Sequence, residues 1–269
     1  MKQKAVLTEY KLKSNKITKP LKLALIADLH ERRADDLFEL LKSAKPDLIA
    51  IAGDTLERNT GEDLARRRKK DPIRIAVFTA AYYVDHTIRF ITRNKNYADT
   101  ENAYRFLRGA ADVAPVFMSL GNHEEELTDE DYALIDNNKI TLLDNTDKTV
   151  AINNQKLHIG GVSTMCDKKW LDDFSNQNGY KILLCHYPEY YDEFIKEKQI
   201  DLILSGHNHG GQIRIFGKGA LSSSTGLFPK YDRGVFDNRL VVTAGCSNTT
   251  AIPRIKNPRE VVIIKLSPE

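Results

Sequence analysis

The sequence predicts an α/β domain with mixed sheets, on three observations. Short apolar runs rich in Ile, Val and Leu end repeatedly in turn-plus-polar clusters. Helix-period patterns fall between several of those runs. No internal repeat and no low-complexity linker breaks the chain, so residues 1–269 read as a single domain. Alternation of this kind places helices over sheet faces.

In chain order, residues 1–19 alternate Lys with short apolar residues and have no apolar h-region, so they do not read as a signal peptide. Residues 21–27 (LKLALIA) and 47–52 (DLIAIA) are buried-strand patterns, with a helical pattern at 34–43 between them. A second helical pattern, 101–111, precedes the strand pattern of 115–120. Residues 150–152 and 157–159 read as strands, as do 181–185 (KILLC) and 202–205 (LILS), which flank a helical pattern at 189–198. Residues 213–216, 240–243 and 261–266 complete the strands, some of them expected to be antiparallel.

Residues 56–102 stand apart as a helical insertion. They hold a basic run at 66–70, a mostly apolar stretch at 73–84, then Arg89, Arg93 and Lys95. One reading is an ordinary insertion packed on the domain. The other is a lid or a peripheral membrane element, since basic flanks beside an apolar face suit anionic lipid. His86 lies in this stretch and is a candidate for the site mouth.

Composition excludes several classes. Hydrophobic residues make up 41% and charged residues 29%, which argues against disorder, collagen and coiled coil. The net charge of +3, from 40 basic and 37 acidic residues, implies no partner by itself. No apolar run approaches the ~18–20 residues that span a bilayer. Cys166, Cys185 and Cys246 are odd in number and lack CxxC spacing. They read as reduced thiols of a cytoplasmic protein rather than as disulfides or metal ligands.

The chemistry gathers at strand ends. Asp28 and His30 follow the first apolar run, Asp54 the second, and Asn122 with His123 the third. His186 follows KILLC, and His207 with His209 follow LILS. Each residue alone is a common turn residue. Together they match the rule that functional groups of an open α/β sheet collect at the carboxyl ends of strands. The i, i+2 pairs Asp28/His30 and His207/His209 project to one side of an extended segment. Imidazole, carboxylate and amide ligands suit Mn, Fe or Zn better than Ca or Mg alone. The set is too large for one tetrahedral ion and fits two ions that share a carboxylate, about 3.5–4 Å apart.

The ordered blocks Asp28-Leu29-His30, Gly53-Asp54, Gly121-Asn122-His123-Glu124, His186 and Gly206-His207-Asn208-His209 resemble those of the calcineurin-like metallophosphoesterase superfamily. Gly210-Gly211-Gln212, Pro253-Arg254 and Asn257-Pro258-Arg259-Glu260 look like its bacterial YkuE/YaeI-like phosphodiesterase branch, some members of which act on lipid-linked diphosphates. The resemblance implies a layered α/β/β/α sandwich. It implies that Asp28, His30 and His209 hold a first metal, that Asn122, His186 and His207 hold a second, and that Asp54 bridges both. It makes His123 a non-ligating general acid or transition-state cation, and implies cleavage of a phosphodiester or diphosphate bond by a metal-bridging hydroxide. Two divalent ions follow, Mn first, with Fe, Zn or Ni as alternatives.

The substrate expected is a phosphorylated small molecule or a lipid-linked phosphoester, with nucleic acid disfavoured. The alternatives are a phosphomonoesterase, a nuclease, or a non-catalytic scaffold on the same fold. Three departures from the branch are evident. His30-Glu31-Arg32-Arg33 replaces a glycine-containing turn, Asn208 replaces a threonine, and the stretch between Asp54 and Gly121 is long. Branch members often carry an N-terminal anchor, which residues 1–19 do not resemble. His158, in LHIG, reads as structural. Arg32, Arg33 and Arg233 are candidate phosphate contacts, for which solvated surface is the better reading.

Overall fold

In a computed structural model, residues 4–58, 98–222, 226–249 and 253–269 are described. The insertion's basic run and His86 lie outside them. The chain runs β1 (Val6–Lys13), β2 (Leu21–Ile26), α1 (Asp35–Ala44), β3 (Leu48–Ala52), α2 (Thr100–Val113), β4 (Val116–Ser119), α3 (Asp129–Asn137) and β5 (Thr141–Leu143). Then come β6 (Thr146–Ile152), β7 (Gln155–Val162), α4 (Lys168–Ser175), β8 (Tyr180–Cys185), β9 (Leu202–Ser205), β10 (Ile213–Ile215), β11 (Lys218–Ser222) and β12 (Gly226–Leu227). β13 (Gly234–Phe236), β14 (Leu240–Val242) and β15 (Glu260–Ser267) close it.

Two mixed six-stranded sheets result. One has the order β1-β15-β2-β3-β4-β5 and the other β13-β14-β9-β8-β7-β6. Strands β2 to β5 are mutually parallel, as are β7, β8, β9 and β14. The period of two sorts the side chains of β2 and β3 between two cores. Leu23, Leu25 and Ala50 meet Leu157, Ile182, Leu184 and Leu204 of the second sheet, filling the space between the sheets. Ala24, Ile26, Ile49 and Ile51 face the opposite way, against Leu37 and Leu41 of α1 and Leu107 of α2. On the far side of the second sheet, Leu183 and Ile203 pack on Leu171 and Phe174 of α4. The layers are therefore α/β/β/α. Strands buried on both faces explain why β3, residues 182–185 of β8 and residues 202–204 of β9 read as unbroken apolar runs.

One local expectation needs correction. The helical pattern of 189–198 yields only a five-residue π-helical turn, Tyr191–Ile195. Its widening bond runs from Lys196 N–H to Tyr191 O at 2.8 Å, and it holds both Tyr191 and Ile195 in the core. The Lys-interleaved N-terminus contains an edge strand, β1, that pairs in parallel with β15. The short helix α3 carries too few apolar residues to show a helical period in the sequence, whereas α4 sets Trp170, Leu171 and Phe174 on one face; caps at Thr128 and Asp167 start the two helices.

Candidate metal centre

Every predicted site residue sits just past the carboxyl end of a parallel strand. Asp28 and His30 follow β2, Asp54 follows β3, and Asn122 and His123 follow β4; His186 follows β8, and His207 and His209 follow β9. The two sheets thus aim their strand ends at one place. Five of these residues take left-handed backbone: Asp28, His30, Asp54, His207 and His209 have φ of 57°, 51°, 55°, 71° and 47°. Such conformations are uncommon for non-glycine residues and gather where surrounding structure forces them. Here the loops brace one another, with Asp28 N–H donating to Gly53 O (3.1 Å) and His30 N–H to Asp54 O (2.9 Å).

The side chains form two buried groups. The ligand atoms of Asp28, His30 and His209 lie within 4.8 Å of one another, and so do those of Asp54, His186 and His207. Asp54 Oδ2 lies 3.1 Å from His186 Nε2 in the second group and 3.6 Å from His30 Nε2 in the first. Its other oxygen accepts from His123 N–H at 3.0 Å, tying the β4 loop to the same carboxylate. Glycine lets the loops come this close: a Cβ at Gly121 would stand 2.1 Å from Asp54 Oδ1. His186 Nδ1 meets Ala52 O at 2.8 Å, which turns Nε2 toward Asp54.

Three buried atoms test whether cations fit. Asp28 Oδ2, His30 Nε2 and Asn122 Oδ1 have no hydrogen-bond partner among the described residues. Buried polar atoms of native proteins nearly always find partners. A carboxylate oxygen, a ring nitrogen and an amide oxygen share one acceptor chemistry, which divalent cations satisfy. His30 Nδ1 is already engaged by Glu57 at 2.8 Å, so Nε2 is the nitrogen offered to an ion. The donor set fits bound metal.

Two carboxylates carry positioning roles that the sequence had left unassigned. Glu57 meets His30 Nδ1 with one oxygen and His123 Nδ1 with the other, both at 2.8 Å. Glu124 accepts four backbone N–H groups, from Asp54 (2.9 Å), Thr55 (2.8 Å), Leu56 (2.9 Å) and Gly121 (2.9 Å). It clasps the β3 and β4 loops together. Glu57 had one available signal, its place three residues after Asp54; Glu124 had its place beside His123.

The electrostatics follow from this crowding. Burial pulls the His123 imidazolium down, but the carboxylates of Asp54 and Glu57 outweigh it and push the group up to about 9. Burial raises the Glu57 carboxyl, yet its bonds to the two histidines bring it to about 2. His209 is held low, first by burial and then by the charges of His30 and Arg254.

The remaining candidates sit elsewhere. Asn208 Nδ2 donates to Glu189 Oε1 (2.7 Å) and Tyr231 O (2.9 Å), so the residue in the threonine's place fixes the loop between His207 and His209. His158 pairs with Thr149 Oγ1 at 2.9 Å on the neighbouring strand. Arg233 is committed to Glu260 at 3.1 Å, which corrects its surface reading. Arg33 is exposed beside Asp35, and Arg32 is half-buried.

Comparison with known proteins gives the family of the chain. Residues 21–211 match the model of the family described as calcineurin-like phosphoesterase. The uncharacterized protein YpbG of Bacillus subtilis (strain 168) is 26% identical over 242 residues, covering 87% of this chain and 76% of its own. The phosphodiesterase YaeI of Escherichia coli (strain K12) is 26% identical over 211 residues, covering 73% of this chain and 63% of its own. The chain thus spans less than two thirds of YaeI. The crystal structure of the calcineurin-like phosphoesterase YfkN from Bacillus subtilis covers 84% of this chain and 82% of its own, at 15% identity and a TM-score of 0.45. With its matched segment running from β2 to just past His209, the chain belongs to the calcineurin-like phosphoesterases, hydrolases of phosphoester bonds.

Proposed function

We propose that this chain hydrolyses a phosphodiester or diphosphate bond with two divalent metal ions. The observation that carries the proposal is the position of the Asp54 carboxylate, within 3.1 Å of His186 and 3.6 Å of His30, between two separate ligand groups. Asp28, His30 and His209 would hold one ion, and Asn122, His186 and His207 the other, with Asp54 common to both. Manganese is the first candidate. When bound, the ions supply Lewis acidity and lower the pKa of the attacking water.

The chain's own groups do the rest. His123 lies beside Asp54, its Nε2 4.0 Å from Asp54 Oδ2, and its side chain is 29% exposed where the proposed ligands His30 and His186 are buried. It therefore lies on the solvent side of the cluster, where a phosphoryl group arrives. Glu57 holds His123 by Nδ1, so proton delivery to a leaving oxygen falls to Nε2. General-acid assistance of this kind contributes about 10²–10⁴-fold, and an imidazolium at that place also offsets charge on the phosphoryl oxygens.

The substrate in this reading is a phosphorylated small molecule or a lipid-linked phosphoester, and residues 1–269 act as one domain with 56–102 as an insertion. YaeI, a relative named as a phosphodiesterase, supports the diester over the monoester. Among the described residues no helix is long and apolar enough to cross a membrane. The test is hydrolysis of paired chromogenic phosphate monoester and diester substrates by metal-stripped protein, with and without Mn²⁺. Metal-dependent diester cleavage that disappears in Asp54→Asn supports the proposal. Silence toward both substrates with metal bound opposes it.

A further inference from the structure

The loop that carries His207 and His209 leads directly into the three-stranded sheet β10-β11-β12, whose outer end is apolar and uncovered. Phe216 is 102% exposed, Phe228 70%, Leu227 63% and Ile215 51%. Monomeric proteins rarely gather so much exposed apolar surface without a use for it. Phe216 and Gly217 form the two-residue turn of the β10–β11 hairpin, with φ of 49° and 79°. That geometry favours Asn-Gly, and a bulky aromatic residue there is backbone-strained. Phe228 repeats the pattern at φ 50°, bonded through its N–H to Ala220 O (3.1 Å) on β11. Neither ring packs against the body of the protein, so hairpin stability does not account for them.

Among the described residues, the exposed charges beside these tips that lack an ion pair are cationic. No Asp or Glu occurs between residues 202 and 231, or between 238 and 259. Arg214 and Lys230 are paired, with Asp232 (2.9 Å) and Asp192. Lys218, at the base of the turn, and Lys256, beside exposed Ile255 next to β10, have no ion pair among the described residues. The surface is thus aromatic and aliphatic at its tips and cationic at its edges.

We infer that the β10-β11-β12 tip inserts Phe216 and Phe228 into an anionic membrane surface and so brings the metal centre to the lipid headgroups. Charge decides against the occupants the chain itself could supply. Residues 59–97 hold nine Lys and Arg against four Asp and Glu, and a second copy would set cations against cations. Exposure favours a bilayer over an acidic protein: Phe216 stands fully exposed on a two-residue turn, which a fluid bilayer admits without a complementary pocket. Arg214 Nη1 donates to Gly210 O at 2.8 Å, and Ser222 Oγ donates to Asn208 Oδ1 at 3.1 Å, so the sheet is fixed to the ligand loop.

The experiment is co-sedimentation of the full chain with mixed phosphatidylglycerol–phosphatidylcholine vesicles and with pure phosphatidylcholine vesicles. Hydrolysis of a soluble chromogenic diester is followed in parallel. The wild type is expected to sediment with the mixed vesicles in a salt-sensitive manner and weakly with the pure ones. Phe216→Ser combined with Phe228→Ser is expected to weaken binding about ten-fold or more, and Lys218→Glu with Lys256→Glu to abolish the preference for anionic lipid. All four positions lie outside the ligand groups, so soluble hydrolysis stays unchanged, and failure of the membrane reading is distinguishable from failure of the proposed catalysis. No sedimentation of the wild type overturns the inference, as does undiminished sedimentation of the phenylalanine double variant. Binding to soluble polyglutamate without vesicle binding would assign the tip to an acidic protein and overturn it equally.

Discussion

Glu57 joins His30 to His123, touching a ring nitrogen of each at 2.8 Å with a different carboxylate oxygen. One side chain thereby orients a proposed metal ligand and the proposed proton donor. Glu57→Ala is expected to lower both metal affinity and kcat about 10–100-fold, the usual effect of losing such an orienting partner. Glu57→Gln retains one acceptor oxygen and recovers part of the loss. Metal titration and steady-state kinetics on the two variants check this. Unchanged values for both would remove Glu57 from the machinery.

Gly121→Ala is a steric test of the same site. Its Cβ would fall 2.1 Å from Asp54 Oδ1 and 2.6 Å from the Asp54 backbone nitrogen, so the β3 and β4 loops must separate. A displacement of about 1 Å at a reacting centre costs on the order of 10²-fold in rate. Activity is expected to fall at least that far while the far-ultraviolet circular dichroism stays native, because the strands themselves are untouched.

Asp131 anchors the segment after β3 through Arg58, next to Glu57. It accepts from Arg58 Nε and Nη2 at 2.8 Å each, from Tyr104 Oη at 2.7 Å, and from Thr128, whose hydroxyl caps α3. Burial raises this carboxyl, but Arg58, Thr128 and Tyr104 together hold it below the ordinary range. A depressed folded pKa stabilises the protein above the unfolded value of about 4, and that contribution disappears as pH falls through the folded value. Asp131→Asn is therefore expected to cost about 3 kcal/mol near neutral pH. The difference from wild type should stay level above about pH 5 and shrink on acidification. Urea melts across the acid range measure it, and a difference that grew on acidification would reverse the sign of the argument.

The site was more legible in the sequence than its support. Asp28, His30, Asp54, Asn122, His123, His186, His207 and His209 each follow an apolar run, and the strands they follow form as expected because parallel strands buried on both faces leave unbroken apolar stretches. Glu57 and Glu124 carried no such mark. Their roles come from contacts across sequence separations of 27 and 66 residues for Glu57, and up to 70 for Glu124, which only the assembled sheets create. Residues 189–198 misled because Tyr191 and Ile195, four apart, fit an α-helical face, while the observed turn places both in the core through an i→i+5 bond. β1 was legible in part: Glu9, Lys11 and Lys13 face water while Tyr10 and Leu12 turn inward, the period of two that marks a half-exposed edge strand.

The central claim is that Asp54 is shared by two ions, and metal stoichiometry tests it most directly. Apoprotein would be titrated with Mn²⁺ in a calorimeter and the bound metal counted by elemental analysis, for the wild type and for Asp54→Asn. The shared carboxylate predicts two ions per wild-type chain and loss of affinity at both sites in the variant, together with loss of diester cleavage. One ion per wild-type chain, or a variant that keeps one site at full affinity, would contradict a bridging role for Asp54.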